Sequence, residues 1–142
     1  MRTLLIAAAT LALSGCASTY NLSVMPRDSG KMYSGTAHDT GRGEGPISIT
    51  IEGTAYNGTW VQATPERATA YVSGGFGFRR WGLGSMVTFD NPYGAQAKAL
   101  LTAANGAGLR CDLRTDHGRG GGVCRDDKGR EYDVQVRLAE RR

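Results

Sequence analysis

A chain of 142 residues has room for one domain. Its 17 basic and 13 acidic residues give a formal charge of +4. The signs are interspersed, so no basic stripe follows a phosphate backbone and nucleic acid is excluded as a partner.

The first sixteen residues stand apart. Arg2 gives a positive start, and Leu4 to Leu13, "LLIAAATLAL", is an apolar run too short to cross a bilayer and of the length of a signal-peptide core. "LSGC", Leu13 to Cys16, follows. These four residues resemble the lipobox of bacterial lipoproteins, where a cysteine after a small residue is acylated and becomes the mature N-terminus. The resemblance implies removal of residues 1–15. It also implies a thioether-linked diacylglycerol and an amide-linked acyl chain on Cys16, with each buried methylene contributing about 0.8 kcal/mol to anchoring. Ala17 and Ser18 come next, not the aspartate that retains enterobacterial lipoproteins in the inner membrane. The expected location is therefore the outer membrane, on its periplasmic side, with residues 16–21 as lipidated cysteine and linker and residues 22–142 as the folded domain. The mature chain keeps 16 basic residues against 13 acidic ones, net +3. Without Cys16, Cys111 and Cys124 remain as a pair in an oxidising compartment.

From Leu22 onward the sequence reads as short strands separated by turn chemistry. "LSVM" leads through Asp28–Lys31 to "KMYSGTAHD", and a turn at Thr40-Gly41 leads to "GPISITIEG". Far along the chain, "HGRGGG" (117–122) repeats "TGRGEG" (40–45). A two-residue turn at His117-Gly118 sets Cys111 opposite Cys124, so that hairpin and disulfide support each other. A shift of 77 carries Asp39 onto Asp116, and a shift of 76 carries Gly53 and Tyr56 onto Gly129 and Tyr132. The comparison puts a turn at Glu52-Gly53 and leaves Asn57-Gly58 inside a strand. Each half, about 22–61 and 96–138, then has four strands. The insert, 62–95, holds strands at "RATAYVS" and "SMVTF". "AQAKALLTAAN" fits a helix by propensity and a strand by the duplication, and the strand is taken. The expected fold is all-β, an antiparallel meander closed as a small barrel or as two packed sheets.

Tyr33-Ser34-Gly35 and Tyr56-Asn57-Gly58-Thr59-Trp60 stand 23 residues apart, with Gly43, Gly45 and Gly53 between them. This stretch, 33–60, resembles the MORN repeat, a β-hairpin unit carrying Y-x-G-x-W. The first copy lacks the tryptophan, so the resemblance implies hairpins rather than a shared function. The whole chain resembles the small lipoproteins of proteobacteria.

No set of residues specifies a reaction. With only two histidines and no G-x-S-x-G elbow, serine catalysis has little to work with. "GGFGF" lacks the Gly-Lys-Ser/Thr ending of a phosphate loop. His38-Asp39 and Asp116-His117, at corresponding tips, match no metal-ligand spacing, and turns favour these residues for backbone reasons. No catalytic residue, metal or cofactor is therefore expected. The most unusual composition is "SGGFGFRRWGLGS", 73–85. It is either glycine-rich core and corners or an adaptable loop in which Phe76, Phe78 and Trp81 meet an apolar surface while Arg79 and Arg80 meet phosphate or carboxylate. The expected role is non-enzymatic binding, with lipid headgroups, peptidoglycan or another envelope protein as the partner. Inhibition of a periplasmic hydrolase such as lysozyme is the rival, and an enzyme the last choice.

Overall fold

A computed structural model describes residues 17–65, 67–72, 85–92 and 94–140. Ten strands follow in order: β1 (Ser18–Pro26), β2 (Tyr33–Asp39), β3 (Glu44–Ile51), β4 (Thr54–Thr64), β5 (Arg67–Val72), β6 (Ser85–Asp90), β7 (Ala95–Ala103), β8 (Gly108–Asp116), β9 (Arg119–Asp126) and β10 (Glu131–Leu138). Eight close into an antiparallel barrel in the order β1-β10-β9-β8-β7-β4-β3-β2, while β5 and β6 pair only with each other. The chain therefore runs up and down around the wall, with one hairpin inserted between β4 and β7. Closure leaves no unpaired strand edge in the barrel.

Period-two patterning builds the wall. Leu22, Val24, Ile47, Ile49, Ile51, Leu101, Leu109, Val134 and Val136 are buried and fill the interior. Outward positions carry Asn21, Thr36, Lys98, Arg110, Arg125 and Gln135, all exposed. That is the inverse of a membrane-spanning barrel, whose outer band is apolar. Residues 95–103 are strand, because alternate positions Ala99, Leu101 and Ala103 go into the core and this burial outweighs helical propensity. The disulfide Cys111–Cys124 lies inside the barrel, between direct cross-strand partners 4.0 Å apart at Cα.

The two halves are β1–β4 and β7–β10, so the insert is 65–94. Cross-strand partners give their true equivalence. Tyr20, Ala37, Ile47 and Gly58 lie side by side in the first half, and Ala97, Leu113, Gly122 and Val134 in the second. Tyr56 corresponds to Tyr132, as the sequence comparison has it. Asp39 and Asp116 do not correspond, because a one-residue change of register turns a side chain to the other face. The reason is the first GRG tip, which is not the expected two-residue turn at Thr40-Gly41. Residues 40–43 form a longer loop, closed by Thr40 N donating to Glu44 O at 3.0 Å. Asp39 Oδ1 accepts from Gly41 N at 2.8 Å and from Gly43 N at 3.3 Å, and both glycines have positive φ, 84° and 73°. The second tip is the tight turn expected, with His117 at φ 50° and Gly118 at 76°. Glu52-Gly53 is another tight turn, with φ 49° and 79°.

A second correction concerns the linker. Residues 18–21 are not tether but the start of β1, pairing with β2 and β10, since Tyr20 packs against the core.

Candidate functional site: the open mouth of the barrel

Antiparallel order sends the start of β1, the loop 40–43, the end of β4, the start of β7, the turn 117–118 and the end of β10 to one end of the barrel. The turns 27–32, 52–53, 104–107 and 127–130 lie at the other. The two ends differ in chemistry.

The second end is sealed. Tyr33, Tyr56 and Tyr132 pack on or in the core there, and Arg130 crosses above them. Its guanidinium bonds both oxygens of Asp28 at 3.0 to 3.1 Å, reaches Glu52 at 3.4 Å, and lies 5.4 Å from the Tyr132 ring centroid. Arg27 bonds Glu131 at 2.5 Å and Asp133 at 3.0 Å, and Arg125 pairs with Glu131. The hydrogen bond from Arg130 holds the Asp28 carboxyl below its ordinary range, and that from Arg125 does the same to Glu131. Burial, together with a 3.0 Å bond to Asp126, pushes the Tyr132 phenol up to about 12.

Among the described residues the first end is open. Inward side chains narrow to Ala37, Ala95 and Ala97, leaving a cup of about 160 Å³ lined also by Tyr20, Trp60, Leu113 and Val136. Asp39, Gln62 and Thr115 bring polar atoms to it. A ring of bonds fixes the rim. Trp60 Nε1 donates to His38 O at 3.0 Å, Gln62 N to Gly43 O at 2.7 Å, Leu138 N to Gly118 O at 2.7 Å and Ala139 N to Thr19 O at 2.8 Å. Both loop glycines bond the same Asp39 oxygen, Oδ1, and among the described residues none bonds Oδ2. A cavity of roughly 150 Å³ accepts a six-membered ring. The cup therefore suits one small ring or headgroup, not a whole acyl chain.

Among the described residues no group of three His, Cys, Asp or Glu is placed to hold a metal ion. His38 sits with its Nδ1 3.0 Å from Thr19 Oγ1, and His117 bonds Asp116 at 2.6 Å, so each histidine is engaged locally. Cys111 and Cys124 are bonded as expected. Cys16 and the candidate loop residues Phe76, Phe78, Arg79, Arg80 and Trp81 lie outside the described residues. The mouth residues Tyr20, Asp39, Trp60, Gln62 and Thr115 come from four different strands, β1, β2, β4 and β8. The one sequence signal for them is the alternate small residues of β7, which leave space only once β4 and β8 are known to flank them.

No protein-family model and no curated protein matches the chain. Among solved structures, the chain is similar to a de novo designed fluorescence-activating β-barrel at 15% identity, over 85% of this chain and 91% of that one, with a TM-score of 0.48. It is also similar to a redesigned β-barrel at 13% identity, over 86% and 90%, with a TM-score of 0.48.

Proposed function

We propose that this protein is a lipoprotein anchored by Cys16 in the outer membrane and facing the periplasm, whose barrel is a non-enzymatic binding module. The observation that carries this reading is the open cup at the end where the chain enters the barrel. Below it, the interior is filled with aliphatic side chains and a disulfide. The lipobox-like "LSGC" supplies the anchor and the oxidising compartment that the cysteine pair needs. Binding, rather than catalysis, suits a mouth with one carboxylate and with both histidines engaged at its rim.

Metabolic labelling with a fatty acid tests the anchor. Label is expected on the native chain and absent from Cys16→Ser, because a serine hydroxyl offers no thiolate for the thioether. Undiminished label on the variant refutes the lipoprotein reading.

A further inference from the structure

The cup has one sign of charge. Of the described residues that line it, Asp39 alone carries a formal charge, while Leu22, Ala37, Ala97, Leu113 and Val136 give it apolar walls. The basic residues of this end are not in the lining. Arg114, Arg119 and Arg137 are exposed on the outer face, one position along from the inward Leu113, Gly120 and Val136, and Arg42 is exposed in the loop 40–43.

Backbone geometry sets an indole beside the carboxylate. Gly45 of β3 is the cross-strand partner of Trp60, and it lies so close to β2 that a Cβ there would meet His38 O at 1.8 Å and Asp39 Cα at 3.6 Å. With no side chain at 45, the Trp60 ring crosses over β3 and donates from Nε1 to His38 O at 3.0 Å. That bond uses the edge of the ring, and among the described residues no cation stands over its face. Gln62 approaches the same place from β4. Its Oε1 lies 2.6 Å from where a Cβ on Gly43 would stand, and Asp39 Oδ1 accepts from Gly43 N at 3.3 Å, so Asp39 and Gln62 flank one glycine. Gln62 donates from Nε2 to Thr64 O; among the described residues nothing donates to its Oε1 or to Asp39 Oδ2. Two acceptors beside an indole suit an ammonium, which has only donors to offer and is drawn to the face of an aromatic ring.

We infer that the cup binds a small primary amine with a cyclic apolar body. The ring sits among Leu22, Ala97, Leu113 and Val136, and the ammonium stays at the rim with Asp39 Oδ2, Gln62 Oε1 and the Trp60 ring. The inference rests on the binding-module reading above and not on the anchor. The volume sets the size, because about 160 Å³ holds one six-membered ring and leaves its charged substituent at the mouth. A neutral ring forgoes the ion pair, and a carboxylate meets Asp39 with like charge.

The test uses the full-length protein carrying Trp81→Phe, in which Trp60 is the one tryptophan. Benzylamine, benzyl alcohol and benzoate share the ring and differ in charge. In detergent at neutral pH, benzylamine is expected to give a saturable change in Trp60 emission and a matching heat in calorimetric titration. Its affinity should exceed that of benzyl alcohol at least about tenfold, with benzoate inert. Asp39→Asn keeps a carbonyl oxygen for the Gly41 and Gly43 amides and puts an amide NH₂ in place of Oδ2. It should weaken benzylamine about tenfold or more and leave benzyl alcohol and the circular dichroism unchanged. Ala97→Leu, which fills the cup, should abolish binding of both. Benzyl alcohol or benzoate bound as tightly as benzylamine, or benzylamine binding unaltered in folded Asp39→Asn, overturns the inference and leaves the cup a binding site. Undiminished binding to folded Ala97→Leu places the amine elsewhere on the protein and also overturns it. If no probe binds, the inference fails and the cup no longer supports a binding module, while the anchor is still judged by the fatty-acid label alone.

Discussion

Replacing Cys111 and Cys124 together by alanine tests how much of the barrel's stability rests on one bond inside its wall. The cysteines are 13 residues apart, and closing a loop of that size contributes about 3 kcal/mol in the chain-entropy model. Both side chains are in the core, at 2% and 0% exposure. Losing the sulfur atoms therefore leaves a void, and a methyl-sized void costs about 1 kcal/mol. Residual hairpin structure in the unfolded chain lowers the first figure, since the tight His117-Gly118 turn already brings β8 and β9 together. A net loss of about 3 kcal/mol lowers the melting temperature of a domain this size by roughly 10 °C. Differential scanning calorimetry of the oxidised protein and the double variant measures it, with the β signature by circular dichroism retained at low temperature. The same burial predicts that dithiothreitol reduces the native protein only as fast as it unfolds. A melting temperature lowered by less than roughly 2 °C, or reduction faster than unfolding, refutes the account of a buried bond that constrains the unfolded chain.

Two further predictions concern the wall and the sealed end. A Cβ on Gly58 meets Leu100 O at 1.9 Å and Leu101 Cα at 2.7 Å, both backbone. Gly58→Ala must therefore part β4 from β7 and cost more than the roughly 1–3 kcal/mol of ordinary overpacking; urea titration beside Gly53→Ala, whose Cβ meets nothing within 4 Å and which bears only the penalty of positive φ, should show Gly58→Ala far the worse. Arg130→Met should destabilise the fold at neutral pH. Because Asp28 has a depressed pKa when folded, its contribution is present above the unfolded carboxylate range near pH 4 and is lost as pH falls through the folded value. The gap between native and variant melting temperatures should thus narrow on acidification, and a gap that widens instead contradicts a stabilising Arg130–Asp28 pair.

Sequence patterning carried the strands, the disulfide and the duplication, because each rests on local repeats of period two or on turns that only certain residues enter. Asn57-Gly58 inside β4 shows this, since the internal comparison overruled the best local hairpin signal. The first GRG tip was misread for a physical reason. Identical letters do not fix a backbone, and Asp39 captured two amides from Gly41 and Gly43 to make a loop where His117-Gly118 makes a turn. Tyr20 was hidden in an expected linker, as nothing local says that the residues just ahead of Leu22 pair on both sides. The mouth was illegible for another reason: its floor and rim come from strands far apart in the chain, and the space arises from Ala37, Ala95 and Ala97 being small together.

The start of β1 and the end of β10 are neighbours, joined by Ala139 N to Thr19 O at 2.8 Å, and the insert leaves the wall at Thr64 and returns at Ala95, whose strands are also neighbours. The wall thus has two equivalent seams, one bridged by a covalent excursion and one by hydrogen bonds alone. Joining the residues around Ser18 to those around Leu138 and opening the chain within the insert would give a circular permutant with every barrel hydrogen bond unchanged. Such a molecule would present the same cup with its new termini at the same end. The chain's termini could thus pass from one seam of the wall to the other without the cup changing.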